Sequence, residues 1–112
     1  MSNFINDFIN LKLSVDDIDD YISAWHNSDS ELSLEEYLGM TWDEYSLFLY
    51  SYDMIPHIAL SHKTGQSINP TVQQFALDAL HAGDIWKYRQ FKTWLEKQGI
   101  FLGEDEGVKV VG

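Results

Sequence analysis

The chain has no cysteine among its 112 residues, which excludes disulfide bonds, thiolate metal sites and thiol nucleophiles. Basic residues are scarce: seven Lys and Arg stand against 18 Asp and Glu, and the formal net charge at pH 7 is −11. No apolar run approaches the roughly 20 residues of a membrane span. Residues 1–13 have no basic cluster and no site typical of signal-peptide cleavage. We therefore expect a cytoplasmic protein that does not enter the membrane.

Aromatic residues, by contrast, are abundant. Six Phe, six Tyr and four Trp accompany a hydrophobic share of 45%, and disordered chains do not have so apolar a composition. A chain of this length buries roughly two-thirds of the surface that its unfolded form exposes. The composition therefore predicts that residues 1–112 form a single domain with one core.

Signals for helix starts divide most of the chain. Three capping boxes and three further caps or prolines mark them: Ser14/Asp17, Ser33/Glu36, Thr41/Glu44, Pro56, Asn69-Pro70 and Asp84. Before them, the apolar spacing from Phe4 to Ile9 fits a short first helix or a docked arm. We therefore predict a mainly α fold, a single compact bundle of five or six short helices.

The last residues of the chain have a composition typical of β-strands and not of helices. Two β-rich runs, Ile100–Leu102 and Val108–Val111, flank a five-residue loop that glycines bound on both sides. This arrangement predicts a C-terminal β-hairpin over residues 100–112. Because a lone hairpin is marginal in water, it must pack on helices or pair with another strand.

The acidic excess is confined to one half of the chain. Residues 1–56 contain twelve acids and a single base, Lys12, whereas residues 57–112 contain six of each. An acidic surface repels bare nucleic acid and anionic membranes and attracts a basic protein partner. Solubility alone is the competing explanation. We distinguish an acidic helical half, residues 1–56, from a charge-balanced helical half, residues 57–99.

Residues 33–52 have the outline of a helix-turn-helix: a short helix, a turn at Gly39 and a capped second helix. The sequence argues against DNA binding by this segment, because Asp43 and Glu44 occupy positions where contacts to bases and phosphates need Arg, Lys, Asn or Gln. Glu35 also occupies the position that usually holds a small residue. We therefore expect helix-turn-helix-like packing without binding to duplex DNA.

One segment has a distinctive order of residues. Trp25-His26 is followed, after seven residues, by Leu34-x-x-Tyr37-Leu38-Gly39-Met40-Thr41-x-x-Glu44-Tyr45. The surrounding stretch, residues 18–50, resembles small bacterial and phage proteins of unassigned function. The resemblance covers less than a third of the chain. It implies a bacterial or phage origin and carries over no catalytic residues.

Signatures of enzymes and metal sites are missing from the sequence. The seven glycines stand singly, so no glycine loop cradles a phosphate, and there is no Gly-x-Ser-x-Gly elbow. His57 and His62 are five residues apart and do not share a helical face, so the His pair of a zinc helix is absent. We therefore expect a protein that is not an enzyme and has no metal and no cofactor.

These features favour a non-catalytic, acidic protein-binding module, encoded by a phage or mobile element, that inhibits a basic, nucleic-acid-binding partner. An anti-defence protein, such as an anti-CRISPR, is one instance, by analogy and charge. Two alternatives stay open: an antitoxin or helix-turn-helix transcriptional regulator, and a structural homo-oligomer joined through the hairpin. The residues expected to contact the partner are Asp16, Asp19, Asp20, Glu35, Glu36, Asp43, Tyr50 and Tyr52.

Overall fold

The computed structural model describes residues 3–102, which form seven α-helices and two 3₁₀ turns. The helices are α1 Phe4–Leu11, α2 Ile18–His26, α3 Leu34–Leu38, α4 Trp42–Tyr50, α5 Ile55–Thr64, α6 Asn69–His81 and α7 Ile85–Lys97; the 3₁₀ turns are Val15–Asp17 and Tyr52–Met54. The prediction of a mainly α fold is thereby confirmed. None of these helices is long and apolar enough to cross a membrane.

The expected count of five or six helices is wrong. Asn3 caps the first segment, because its Oδ1 accepts a hydrogen bond from the Asn6 backbone N–H at 2.8 Å, and the segment is therefore a helix. Each later start signal also leads into a helix of its own, even the five-residue α3, and the Ser14/Asp17 box does so by way of the first 3₁₀ turn. Within residues 3–102 there is no strand, and most of the predicted hairpin, residues 103–112, lies outside the described residues.

The single bundle expected from the sequence is also corrected, since the contacts divide the chain between Gln66 and Ser67 into two compact units. The division falls after α5 rather than at the charge boundary near residue 56, because α5 contacts α1. The first unit therefore contains α1 to α5. The second contains α6 and α7, which contact each other extensively.

Local hydrogen bonds explain where the helices begin. In each predicted capping box the carboxylate accepts a hydrogen bond from the backbone N–H of the cap residue. The bonds are Ser14 to Asp17 Oδ2 at 2.8 Å, Ser33 to Glu36 Oε1 at 3.1 Å and Thr41 to Glu44 Oε1 at 2.9 Å. Asp84 caps α7 by accepting from the Lys87 backbone N–H. Asn69, predicted as a cap, is instead the first residue of α6.

The core of the first unit joins α1 to the elements around it. Its fully buried side chains are apolar: Phe4, Ile5, Ile18, Leu38, Leu47, Met54, Ile55 and Ile58. Phe4 packs against the rings of Phe8 and Tyr21, with centroids 5.8 and 5.1 Å apart. Among the described residues no polar or charged side chain is buried. Apolar burial is therefore the main source of stability in this unit.

The second unit is a pair of helices with its own apolar core. Phe75 of α6 meets Phe91 of α7 edge to face, with ring centroids 5.9 Å apart. Val72, Phe91 and Leu95 are fully buried, and Leu102 is buried beyond the end of α7. Gly99 ends α7 with a positive φ of 85°, a conformation that glycine adopts without strain.

Candidate functional site

Two of the predicted partner-binding residues meet although they are 33 positions apart. The hydroxyl of Tyr52, in the second 3₁₀ turn, donates a hydrogen bond of 3.0 Å to Oδ1 of Asp19 in α2. This bond, with burial and the negative charges of Asp19 and Asp16, raises the pKa of Tyr52. Asp16 and Asp19 are themselves exposed. We name Asp16, Asp19 and Tyr52 the Tyr52 cluster.

A row of aromatic rings along α4 leads to the Tyr52 cluster. Ring centroids are 5.7 Å apart between Trp42 and Tyr45, 5.7 Å between Tyr45 and Phe48, and 4.8 Å between Phe48 and Tyr52. Phe48 is buried, whereas Trp42 is 62% exposed and Tyr52 is 40% exposed. The row therefore presents a large amphipathic side chain at each end, of the type that anchors protein interfaces.

A second feature, which we name the α1–α3 pocket, is an open pocket of about 480 Å³. Residues of α1, α2 and α3 line it, together with the residue before α1 and the loop before α3. The lining combines three carboxyl groups with aromatic, amide and apolar side chains: Asp7, Asp20, Glu36, Tyr21, Tyr37, Asn3, Ala24 and Leu32. The pocket thus brings Asp20 and Glu36, both predicted from the sequence, to one site.

Hydrogen bonds shift the pKa of two groups in this pocket. The Tyr21 hydroxyl donates to Oδ2 of Asp7 at 2.6 Å. This bond, with burial and the charge of Asp7, raises the pKa of Tyr21 to about 12. Hydrogen bonds from the backbone N–H and the hydroxyl of Ser33 lower the pKa of Glu36. At neutral pH Tyr21 is therefore protonated and Glu36 is ionised.

The Tyr21 hydroxyl yields a pH-dependent prediction. Tyr21→Phe should lower the free energy of unfolding by about 1.5 kcal/mol, as expected for a hydrogen bond to a charged acceptor. Because the folded state raises the pKa of Tyr21 from 10.0 to about 12, it holds this proton more tightly than the unfolded state. The contribution is therefore complete below about pH 10 and is lost as the pH rises towards about 12.

Urea unfolding of the wild type and the Tyr21→Phe variant, from neutral pH to about pH 11.5, measures this difference. It should be constant up to about pH 10 and then shrink. Other groups that titrate in this range cancel, because both proteins contain them. A difference that stays the same at all pH values would contradict the role assigned to the hydroxyl.

The other predicted residues lie elsewhere in the first unit. Glu35, Asp43 and Tyr50 do not line the α1–α3 pocket. Asp43 is exposed in the first turn of α4, whereas Glu35 and Tyr50 are half-buried. Tyr50 is therefore a poorer candidate for an exposed anchor than Trp42, which we did not predict.

Six of the eight residues that line the pocket were not predicted from the sequence, among them Tyr21 and Asp7. The sequence pattern assigns no role to either of these two residues. Tyr21 does contact the buried Phe4, but its hydroxyl reaches the pocket and bonds to Asp7. The two residues are 14 positions apart, and no spacing rule links side chains at that distance.

His62 has a close acidic partner, and this pair has a structural role. Nε2 of His62 lies 2.9 Å from both carboxylate oxygens of Glu44. The same carboxylate caps α4 through the Thr41 backbone N–H, so the pair ties the start of α4 to the end of α5. Within residues 3–102 no three His, Asp or Glu side chains are placed to hold a metal ion.

Comparison with known proteins adds no relative: no protein-family model, no curated protein and no solved structure matches this chain. The resemblance of residues 18–50 to small bacterial and phage proteins therefore stays a prediction. The features of the first unit that bear on function are its charge, its exposed aromatic rings and its pocket.

Proposed function

We propose that the protein is a non-catalytic binding module whose acidic first unit recognises a basic protein in the cytoplasm and inhibits it. The observation that carries this proposal is the charge of residues 1–66, which contain twelve acids and only two Lys or Arg, Lys12 and Lys63. The side chains of Asp16, Asp19 and Asp20 are exposed. This unit has too few basic side chains to neutralise its carboxylates, and a basic partner would supply them.

Exposed aromatic rings, one of which is bonded to Asp19, support a protein as the partner. Trp42 and Tyr52 stand at the two ends of the aromatic row, and Tyr52 contacts Asp19 directly. Protein interfaces use Trp and Tyr as buried anchors and place charges of opposite sign around them. The negative field reaches about 8 Å at physiological salt and mainly accelerates association.

The same charge indicates what the partner does. A strongly basic protein surface commonly binds nucleic acid, because it attracts phosphates. A carboxylate surface that covers it would compete with the nucleic acid, and the protein would act as an inhibitor by charge mimicry. An anti-defence protein of a phage, such as an anti-CRISPR, would be one instance. The resemblance of residues 18–50 to bacterial and phage proteins supports that origin.

Reversing three acids tests this proposal. In the variant Asp16→Lys/Asp19→Lys/Asp20→Lys, binding to the partner should weaken at least about tenfold, or about 1.4 kcal/mol. The physical reason is that three attractive contacts become repulsive and the association rate falls. The partner is first identified by mass spectrometry after capture from an extract of the host, and affinity is then measured at several salt concentrations.

A matched control separates a local contact from the overall charge. The variant Asp29→Lys/Glu31→Lys/Asp78→Lys changes the net charge by the same amount at other exposed positions and should bind much more tightly than the first. If the first variant folds and binds like the wild type, this face is not the site and its charge serves solubility. Specific micromolar binding of duplex DNA in a gel shift would instead favour the transcriptional regulator.

A further inference from the structure

The side chains that line the α1–α3 pocket offer more hydrogen-bond acceptors than donors. Asp7, Asp20 and Glu36 bring six carboxylate oxygens, all of them acceptors. The side-chain donors of the lining are fewer and uncharged: the Tyr21 hydroxyl, which is already bonded to Asp7, the Tyr37 hydroxyl and the Asn3 amide group. Among the described residues that line the pocket, none is Lys, Arg or His. A ligand that matches this pocket must therefore bring several donors and positive charge.

Local contacts hold the pocket open before any ligand arrives. Asn3 caps α1 and lies against Gly39 at the end of α3. Trp25 Nε1 donates to the Leu32 carbonyl at 3.0 Å, which holds the loop that brings Leu32 to the pocket. A preformed pocket loses little conformational entropy on binding, which favours affinity.

The shape and the lining favour an organic cation over a metal ion. No three acidic side chains within residues 3–102 are placed to hold a metal ion, and a volume of about 480 Å³ suits a side chain or small molecule. Ala24 and Leu32 offer apolar surface, and Tyr21 and Tyr37 offer aromatic rings. A guanidinium group has five donors and no acceptor, pairs with carboxylates in a bidentate manner and stacks on aromatic rings.

We propose that the α1–α3 pocket receives an arginine side chain of the basic protein partner, with its guanidinium group at Asp7, Asp20 and Glu36 and its aliphatic stem along Ala24 and Leu32. This inference rests on the proposed function, because it names the contact by which the acidic unit recognises its partner. A lysine ammonium group has three donors and makes no bidentate pair with a carboxylate. It therefore fits the excess of acceptors less well.

Nuclear magnetic resonance of the ¹⁵N-labelled full chain tests the pocket with a defined probe, N-acetyl-arginine amide. The backbone amide signals of Tyr21, Ala24 and Tyr37 should shift and saturate with a dissociation constant on the order of 1 mM. The neutral isostere N-acetyl-citrulline amide should cause no saturable shift, and N-acetyl-lysine amide should bind several times more weakly.

A neutralising variant locates the site. Asp20→Asn/Glu36→Gln should weaken binding of the arginine probe at least tenfold, and Gln at position 36 still accepts the capping bond from Ser33. The control Asp29→Asn/Glu31→Gln removes the same charge at exposed positions that do not line the pocket, and it should bind the arginine probe like the wild type. A thermal melt of each variant verifies that it folds.

The outcomes separate this inference from the proposed function. The pocket assignment is overturned if citrulline or lysine binds as well as arginine, if the two variants behave alike, or if free arginine binds much more tightly than the blocked probe. If the arginine probe does not bind but charge reversal still abolishes capture of the partner, the proposed function stands and the pocket assignment alone fails.

Discussion

Replacing Phe4 by alanine is expected to lower the free energy of unfolding of the first unit by about 3–5 kcal/mol, the cost of a large cavity in a closed core. Phe4 has no exposed surface, and it packs against the rings of Phe8 in its own helix and Tyr21 in α2. Its loss removes apolar burial and the aromatic contact that fixes α1 against α2. Because residues of both helices line the α1–α3 pocket, the variant should also bind the arginine probe less well.

Urea unfolding followed by circular dichroism measures this effect. The matched control is Leu11→Ala, in the same helix, because Leu11 is 63% exposed. Alanine is a good helix former and an exposed leucine contributes little, so the control should change stability by no more than about 0.5 kcal/mol. If the two variants were equally stable, α1 would not be anchored through Phe4.

Gly39→Ala is expected to have the next largest effect and to lower the free energy of unfolding by about 2–3 kcal/mol. Gly39 has a φ of +90°, where any residue with a Cβ is strained by about 1–2 kcal/mol. A Cβ at this position would also overlap with the side chain of Asn3. Asn3 would have to move, and α1 would lose a cap of about 1 kcal/mol.

Gly65 supplies the control for this prediction. It ends α5 with a φ of +77°, and an added Cβ would meet nothing within 4 Å. Gly65→Ala should therefore lower the free energy of unfolding by the backbone strain alone. In a chain that already carries Asn3→Ala, the cost of Gly39→Ala should fall to that of Gly65→Ala, as a double-mutant cycle would measure. Equal costs for the two glycines in the wild-type chain would contradict the clash with Asn3.

Helix starts were predictable because the groups that decide them lie within a few residues of each other. A carboxylate at the third helical position reaches the N–H of the cap whatever the rest of the chain does, as Asp17, Glu36 and Glu44 show. The same reasoning misplaced the start of α6. Asn69 is the first residue of this helix, and its N–H donates to the hydroxyl of Ser67, so Ser67 provides the side-chain acceptor at this helix start.

The candidate site was only partly predictable. The acidic character of the first unit follows from a count of residues, and Asp16, Asp19, Asp20 and Glu36 could be chosen because the sequence places almost no basic residues near them. That Asp19 receives the Tyr52 hydroxyl could not be predicted, because the bond spans 33 residues. It depends on how α2 lies against the second 3₁₀ turn, and helix packing sets that arrangement.

The amino-acid order alone thus determined the helical class, the ends of most helices and the acidity of one part of the chain, because caps, periodicity and charge act locally or by summation. Only the tertiary structure decided which carboxylates share a surface. Asp7 and Asp20 line the same pocket because the buried ring of Phe4 holds Tyr21, and with it α2, against α1. Such contacts depend on the relative orientation of packed helices, which no local pattern of residues specifies.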